Sequence, residues 1–287
     1  MNGEKKKTWL RVKNPEPLII QTRDQKIITS VYEFGFLTRE QIQNLFGINC
    51  TTRANIRLRK LFDHGYLSRR FLPTTRGSSK AIYLLGPKGI ALVSEKCGVD
   101  SLEIKRRQKQ NFQRRELFFE HDLLVNEVRI AFYQAMENHN SLKLDKWIGS
   151  IDCLHEYQIF NPKPNREFRK VFRPDGYFRY YQNDKLYGCF LEVDRSTMSN
   201  SRFQSKVRTY IEYAQSGLYL QRYGLKFFRV LVLTKTTERL RNLKAATEAL
   251  TDKIFWFATI SSLDPNGLFD RIWQRPRKEG FFHLLEN

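Results

Sequence analysis

The sequence predicts an α+β protein, and three observations predict it. Residues 24–98 read as three short amphipathic helices, a pair of strands and a fourth helix. Residues 114–287 alternate helical and strand-like stretches, the pattern of an α/β domain with a mixed sheet. Of a formal charge of +20, about three quarters lies before Glu116. That asymmetry directs the amino-terminal part at a polyanion.

A hydrophobic content of 41% over 287 residues fills real cores and excludes a disordered chain. No apolar run reaches the roughly 18 residues of a membrane span, and no long basic helix carries an aromatic face, so nucleic acid is the expected polyanion. Cys50, Cys97, Cys153 and Cys189 form no C-x-x-C pair and lack His at zinc-finger spacing. They read as free thiols in a reducing compartment. Residues 1–13 carry charge without an apolar core, unlike a secretory signal. The expectation is a cytoplasmic protein.

Residues 1–20, basic and interrupted by Pro15 and Pro17, read as a flexible arm. Residues 21–98 form the predicted DNA-binding domain. Ile27, Ile28, Val31, Tyr32 and Phe34 make the stripe of a first helix that Gly35 stops. Thr38 and Gln41 stand at capping-box spacing before a second helix. A third runs from Thr51 or Thr52 to about His64 and ends at Gly65. Its core side carries Ala54, Leu58, Leu61 and Phe62, flanked by Asn55 and Arg59; Arg53, Ile56, Arg57 and Lys60 lie opposite. A hydrophobic back with a basic front suits the DNA major groove.

Residues 66–72 and 80–85 then alternate as a hairpin, and Pro87 opens a fourth helix. Helix, helix, basic helix and hairpin resemble a winged helix-turn-helix. The candidate DNA contacts are Thr52, Arg53, Asn55, Ile56, Arg57 and Lys60 on the helix, and Arg69, Arg70, Arg76 and Lys80 on the wing. The wing residues are expected to position the protein on phosphates.

Residues 99–113 read as a charged linker, and residues 114–287 as the α/β domain. A long helix is expected to about Glu137, then strands near 143–148 and 156–160. A hairpin of 171–181 with 186–193 follows, then a helix over 200–223, a strand at 227–233, a helix at 237–250 and a strand at 255–259.

This domain holds the chain's chemistry-bearing residues. Asp175 enters one strand, and Glu192 and Asp194 stand two apart on the next, on one face. Neighbouring strands would bring these carboxylates together, with Lys206 on the following helix to offset their charge. Oxygen ligands of this kind select Mg²⁺ or Mn²⁺, and such an ion activates water against a phosphodiester. Asp175 and Glu192 are the candidate metal ligands; Asp175, Glu192, Asp194 and Lys206 are the candidate catalytic residues.

Pro174-Asp175 followed by Glu192-Val193-Asp194 resembles the PD-(D/E)xK pattern of the restriction-endonuclease-like fold, with Asp194 where that family has Lys. Lys206 is the replacement this chain offers. The wider pattern is similar to the replication-relaxation family of plasmids and other mobile elements. It comprises Thr38-x-x-Gln41-Ile42, Leu58-x-x-Leu61-x-x-x-Gly65, Arg173-Pro174-Asp175-Gly176, Leu191-Glu192-x-Asp194-Arg195 and the Tyr210-x-x-Tyr213 helix. The resemblance implies a double-stranded DNA partner and a role in replication, relaxation or mobilisation. A homodimer, and relaxase or replication proteins, are the further expected partners. Three readings follow: a DNA-binding factor with a non-catalytic nuclease-like domain and no cofactor, a Mg²⁺-dependent endonuclease or nickase, and a transcriptional repressor. No His-hydrophobe-His pair with a nearby Tyr is present, which argues against a covalent relaxase.

Overall fold

The computed structural model describes residues 10–71, 80–112, 116–161, 166–196, 198–263 and 268–285. Two compact units, Met1–Ile130 and Ala131–Asn287, divide the chain, and the fold is mixed α+β.

The first unit begins with α1 (Thr22–Phe34), β1 (Leu37–Thr38), α2 (Arg39–Phe46) and α3 (Thr51–Asp63). The strands β2 (Leu67–Phe71) and β3 (Ala81–Leu85) follow, then α4 (Pro87–Cys97) and α5 (Ser101–Phe112). Helix α6 (Glu116–Glu137) runs to the end of the unit and beyond it. The three strands form an antiparallel sheet in the order β1-β3-β2.

Thr38 and Gln41 close the capping box of α2. Thr38 Oγ1 accepts from Gln41 N at 3.1 Å, and Gln41 Oε1 accepts from Thr38 N at 3.1 Å. The end of α3 is a Schellman turn: Gly65, at φ +80°, donates to Phe62 O, and Tyr66 donates to Leu61 O. Ile27, Ile28, Val31, Ile42, Leu58, Leu61, Ile82 and Leu84 fill the core beneath.

The stretch 99–113, expected as a linker, contains α5. Ile104 is buried there, and the Gln108 amide exchanges two hydrogen bonds with the backbone of Leu85. The charged residues that suggested a linker are the outer side of this helix. The arm expected over 1–20 is fastened from Leu10 onward, where Arg11 donates to Phe62 O and Asp63 accepts from Val12 N.

The second unit is built on a five-stranded sheet. After α6 come β4 (Leu142–Gly149), the short α7 (Ser150–Cys153), β5 (His155–Asn161), β6 (Arg166–Phe172), β7 (Gly176–Gln182) and β8 (Lys185–Asp194). Then follow α8 (Asn200–Gln215), α9 (Leu218–Tyr223), β9 (Arg229–Thr234), α10 (Thr237–Glu248) and β10 (Phe255–Thr259), with the short β11 (Arg271–Trp273) and β12 (Phe282–His283) at the end. The sheet order is β10-β9-β8-β7-β4. The β8–β9 and β9–β10 pairs are parallel, and the β7–β8 and β4–β7 pairs antiparallel, so the sheet is mixed as expected.

Two expected elements are divided. The strand expected over 171–181 breaks at Arg173–Asp175: β6 pairs with β5, while β7 joins the main sheet. Pro174 has no N–H to carry a ladder through the break. The helix expected over 200–223 breaks at Gly217, which takes φ +75°. An aromatic core packs under one face of the sheet. Phe190 lies edge-on to Phe172 and Phe228, and Phe172 stacks on Tyr213 at 4.1 Å.

Candidate nucleic-acid interface and carboxylate site

The exposed face of α3 is its amino-terminal half. Thr51, Thr52, Arg53 and Asn55 are exposed, and Ile56 is 54% exposed although apolar. Toward the other end the helix is engaged. Arg57 makes a bidentate pair with Asp24 through Nε, at 2.7 Å, and Nη2. Asp24 is 1% exposed at the start of α1. This hydrogen-bonded pairing holds the Arg57 guanidinium above the usual arginine range. Arg57 Nη2 also donates to Ile19 O. Arg57, placed on the outward face by periodicity, is therefore a tie between α3, α1 and the amino-terminal segment. Lys60, half-exposed, lies 4.0 Å from Glu16.

On the hairpin, the Arg69 guanidinium lies 4.5 Å from the Phe62 ring centre and that of Arg70 lies 5.4 Å from Phe119. Lys80 is exposed, 3.6 Å from Glu40. Arg76 lies outside the described residues.

In the second unit the backbone brings Asp175 beside Glu192. Asp175 N donates to Leu191 O at 3.0 Å, and its Oδ2 accepts from Val193 N at 2.8 Å. The Asp175 side chain thus extends the β7–β8 ladder where Pro174 cannot. Glu192 is 4% exposed, and each of its oxygens has a donor. Lys206 Nζ donates to Oε2, and Tyr210 OH donates to Oε1 at 2.5 Å. Burial pushes the Glu192 carboxyl up to about 7, and Asp175 adds to the rise; Lys206 and Tyr210 pull against it. Burial, the charge of Glu192 and the hydrogen bond to it hold the Tyr210 hydroxyl well above its usual range, so it stays a donor.

Asp194 turns to a different partner. Arg239 on α10 clamps it through Nε at 2.7 Å and Nη2 at 2.9 Å, and Ser196 N donates to Oδ1. Arg239 reaches on to Met198 O and Asn200 Oδ1, tying the end of β8 to the start of α8. The expected triple carboxylate centre is not formed. Among the described residues no three His, Cys, Asp or Glu side chains are placed to hold a metal.

At Glu192 and Asp194 a divalent cation would have to compete with internal donors. An ion needs free carboxylate oxygens. Both oxygens of Glu192 are occupied by an ammonium and a hydroxyl, and both of Asp194 by a guanidinium. The expected placement of Lys206 against Glu192 is met, and the lysine stands as counter-ion.

Two functional partners escaped sequence reasoning. Tyr210 had a signal: it follows Lys206 by four residues and shares its helix face. Arg239 had none, being 45 residues from Asp194.

No curated protein and no solved structure matches the chain. A family model described as Replication-relaxation matches residues 28–228. The match takes in α3 with its hairpin and the Asp175–Glu192–Lys206 group alike, and on it the protein belongs to the replication-relaxation family.

Proposed function

We propose that the protein is a DNA-binding factor acting in replication or relaxation of a plasmid or other mobile element. Its amino-terminal unit binds duplex DNA as a winged helix-turn-helix. Its second unit is a nuclease-like fold that does not cut.

The observation that carries the binding half is the exposed amino-terminal end of α3. Recognition helices of this class reach base edges with their first residues. Thr52, Arg53, Asn55 and Ile56 occupy that end, and the antiparallel β2–β3 pair follows as a wing would. The observation that carries the second half is the internal neutralisation of Glu192 and Asp194. A buried carboxylate paired with a cation and a hydroxyl is already compensated without an ion. The metal-dependent nuclease reading requires Lys206 and Tyr210 to surrender Glu192, and nothing in their packing favours that.

A mobility-shift titration tests the binding half. Arg53→Ala is expected to weaken duplex binding without moving the melting temperature. Unchanged affinity in that variant counts against α3 as the reading element.

A further inference from the structure

Three guanidinium groups converge on one ring where α3 ends and β2 begins. Arg11, Arg59 and Arg69 lie 5.1, 5.4 and 4.5 Å from the centre of Phe62. They come from three separate elements: the amino-terminal segment, the helix and the wing strand. Arg11 is aimed by backbone, donating to Phe62 O at 2.8 Å and Leu67 O at 3.2 Å, with Ser68 Oγ at 3.4 Å. Arg59 donates to Asp63 at 2.7 Å and to Leu10 O at 2.8 Å.

The group carries more positive than negative charge. Asp63 is the carboxylate bonded into it among the described residues, and its oxygens go to Arg59 and to Val12 N. Cation–π attraction holds the three cations against the Phe62 ring, but it supplies no acceptor. Like charges crowded together favour an anion beside them. The carbonyl end of a helix repels anions; here Arg11 occupies the Phe62 carbonyl and lowers that repulsion.

We propose that Arg11, Arg59 and Arg69 form a clamp for a backbone phosphate of duplex DNA, with the amino-terminal segment as a working part of the interface. The clamp rests on the DNA-binding reading of α3. It sits at the far end of that helix from Arg53, so one end meets base edges while the other grips the strand. Phosphate contacts of this kind position a protein and are indifferent to sequence. Arg11, in a segment read as a mobile arm, and Arg59, read as a flank of the core stripe, are the residues this assignment adds.

The experiment titrates the full chain onto mixed-sequence duplex DNA over a range of salt concentrations. Arg11→Gln, Arg69→Gln, Arg11→Lys and Arg53→Ala are compared with the wild type, and thermal melts confirm that each variant is folded. Each Gln variant is expected to bind all sequences more weakly by the same factor. Its slope of log K against log salt becomes shallower by about 1 for the lost contact. Arg11→Lys, which keeps the charge, recovers most of that slope. Unchanged slopes in both Gln variants, with Arg53→Ala still weakened, overturn the clamp and leave the role of α3 standing. Absence of duplex binding by the wild type at low salt overturns both.

Discussion

Glu192 is the residue whose surroundings say most about the second unit. Its carboxyl is pushed up to about 7 by burial, then by Asp175, against the pull of Lys206 and Tyr210. The unfolded chain releases this proton near 4.5, while the folded chain keeps it to about 7. Between those values the folded state binds more protons, so this residue's contribution to stability falls as the pH rises. Glu192→Gln removes the titrating group. Urea unfolding of that variant is expected to vary less between pH 5 and 7 than that of the wild type, and an equal slope in both argues against the assignment. Asp194 predicts a second effect. Arg239→Ala leaves a buried carboxylate without its cation and is expected to cost about 3–5 kcal/mol, with Asp194→Asn milder in the same denaturation experiment. Of these partners, Lys206 was legible from its place on the following helix, while Tyr210, one turn on along the same face, was not read as a partner. Nor was Arg239, because only the packing of α10 against α8 brings it to Asp194.

At the scale of elements, local chemistry decided most boundaries. Thr38 and Gln41 start α2, Gly65 ends α3 and Pro87 opens α4, each where sequence places it. The failures share one cause. Pro174 divides what periodicity reads as one strand, and Gly217 divides what it reads as one helix, because hydrophobic pattern continues across a break that backbone geometry imposes. The tie of Arg57 to Asp24 was hidden for a different reason: a helix wheel cannot see a carboxylate on another helix. Close approach of elements also makes a prediction. A Cβ at Gly86 would lie 2.3 Å from Gly65 O, in the turn that joins the end of α3 to the strand pair. Gly86→Ala is therefore expected to destabilise the first unit by about 1–3 kcal/mol, measured by thermal or chemical unfolding. A variant as stable as the wild type contradicts the packing of that turn.

For the whole molecule, the charge distribution and the family agree. The basic excess lies toward the amino-terminal end, and the replication-relaxation match spans the DNA-binding candidate and the carboxylate group together. No helix among the described residues is long and apolar enough to cross a membrane. Class and element order were readable because helix and strand periods differ and turn residues are specific. The state of the carboxylates was not, because Asp and Glu at metal-site spacing look the same whether an ion or an internal cation neutralises them. The account holds that this chain uses internal cations, so binding must survive without metal and cleavage must be absent with it.

The most direct test incubates the full chain with supercoiled plasmid in Mg²⁺, Mn²⁺ or EDTA, following retardation and nicking on the same gel. The account predicts retardation in all three conditions and a plasmid that stays supercoiled. Metal-dependent nicking that disappears in Glu192→Gln would contradict it and make the carboxylates a catalytic centre.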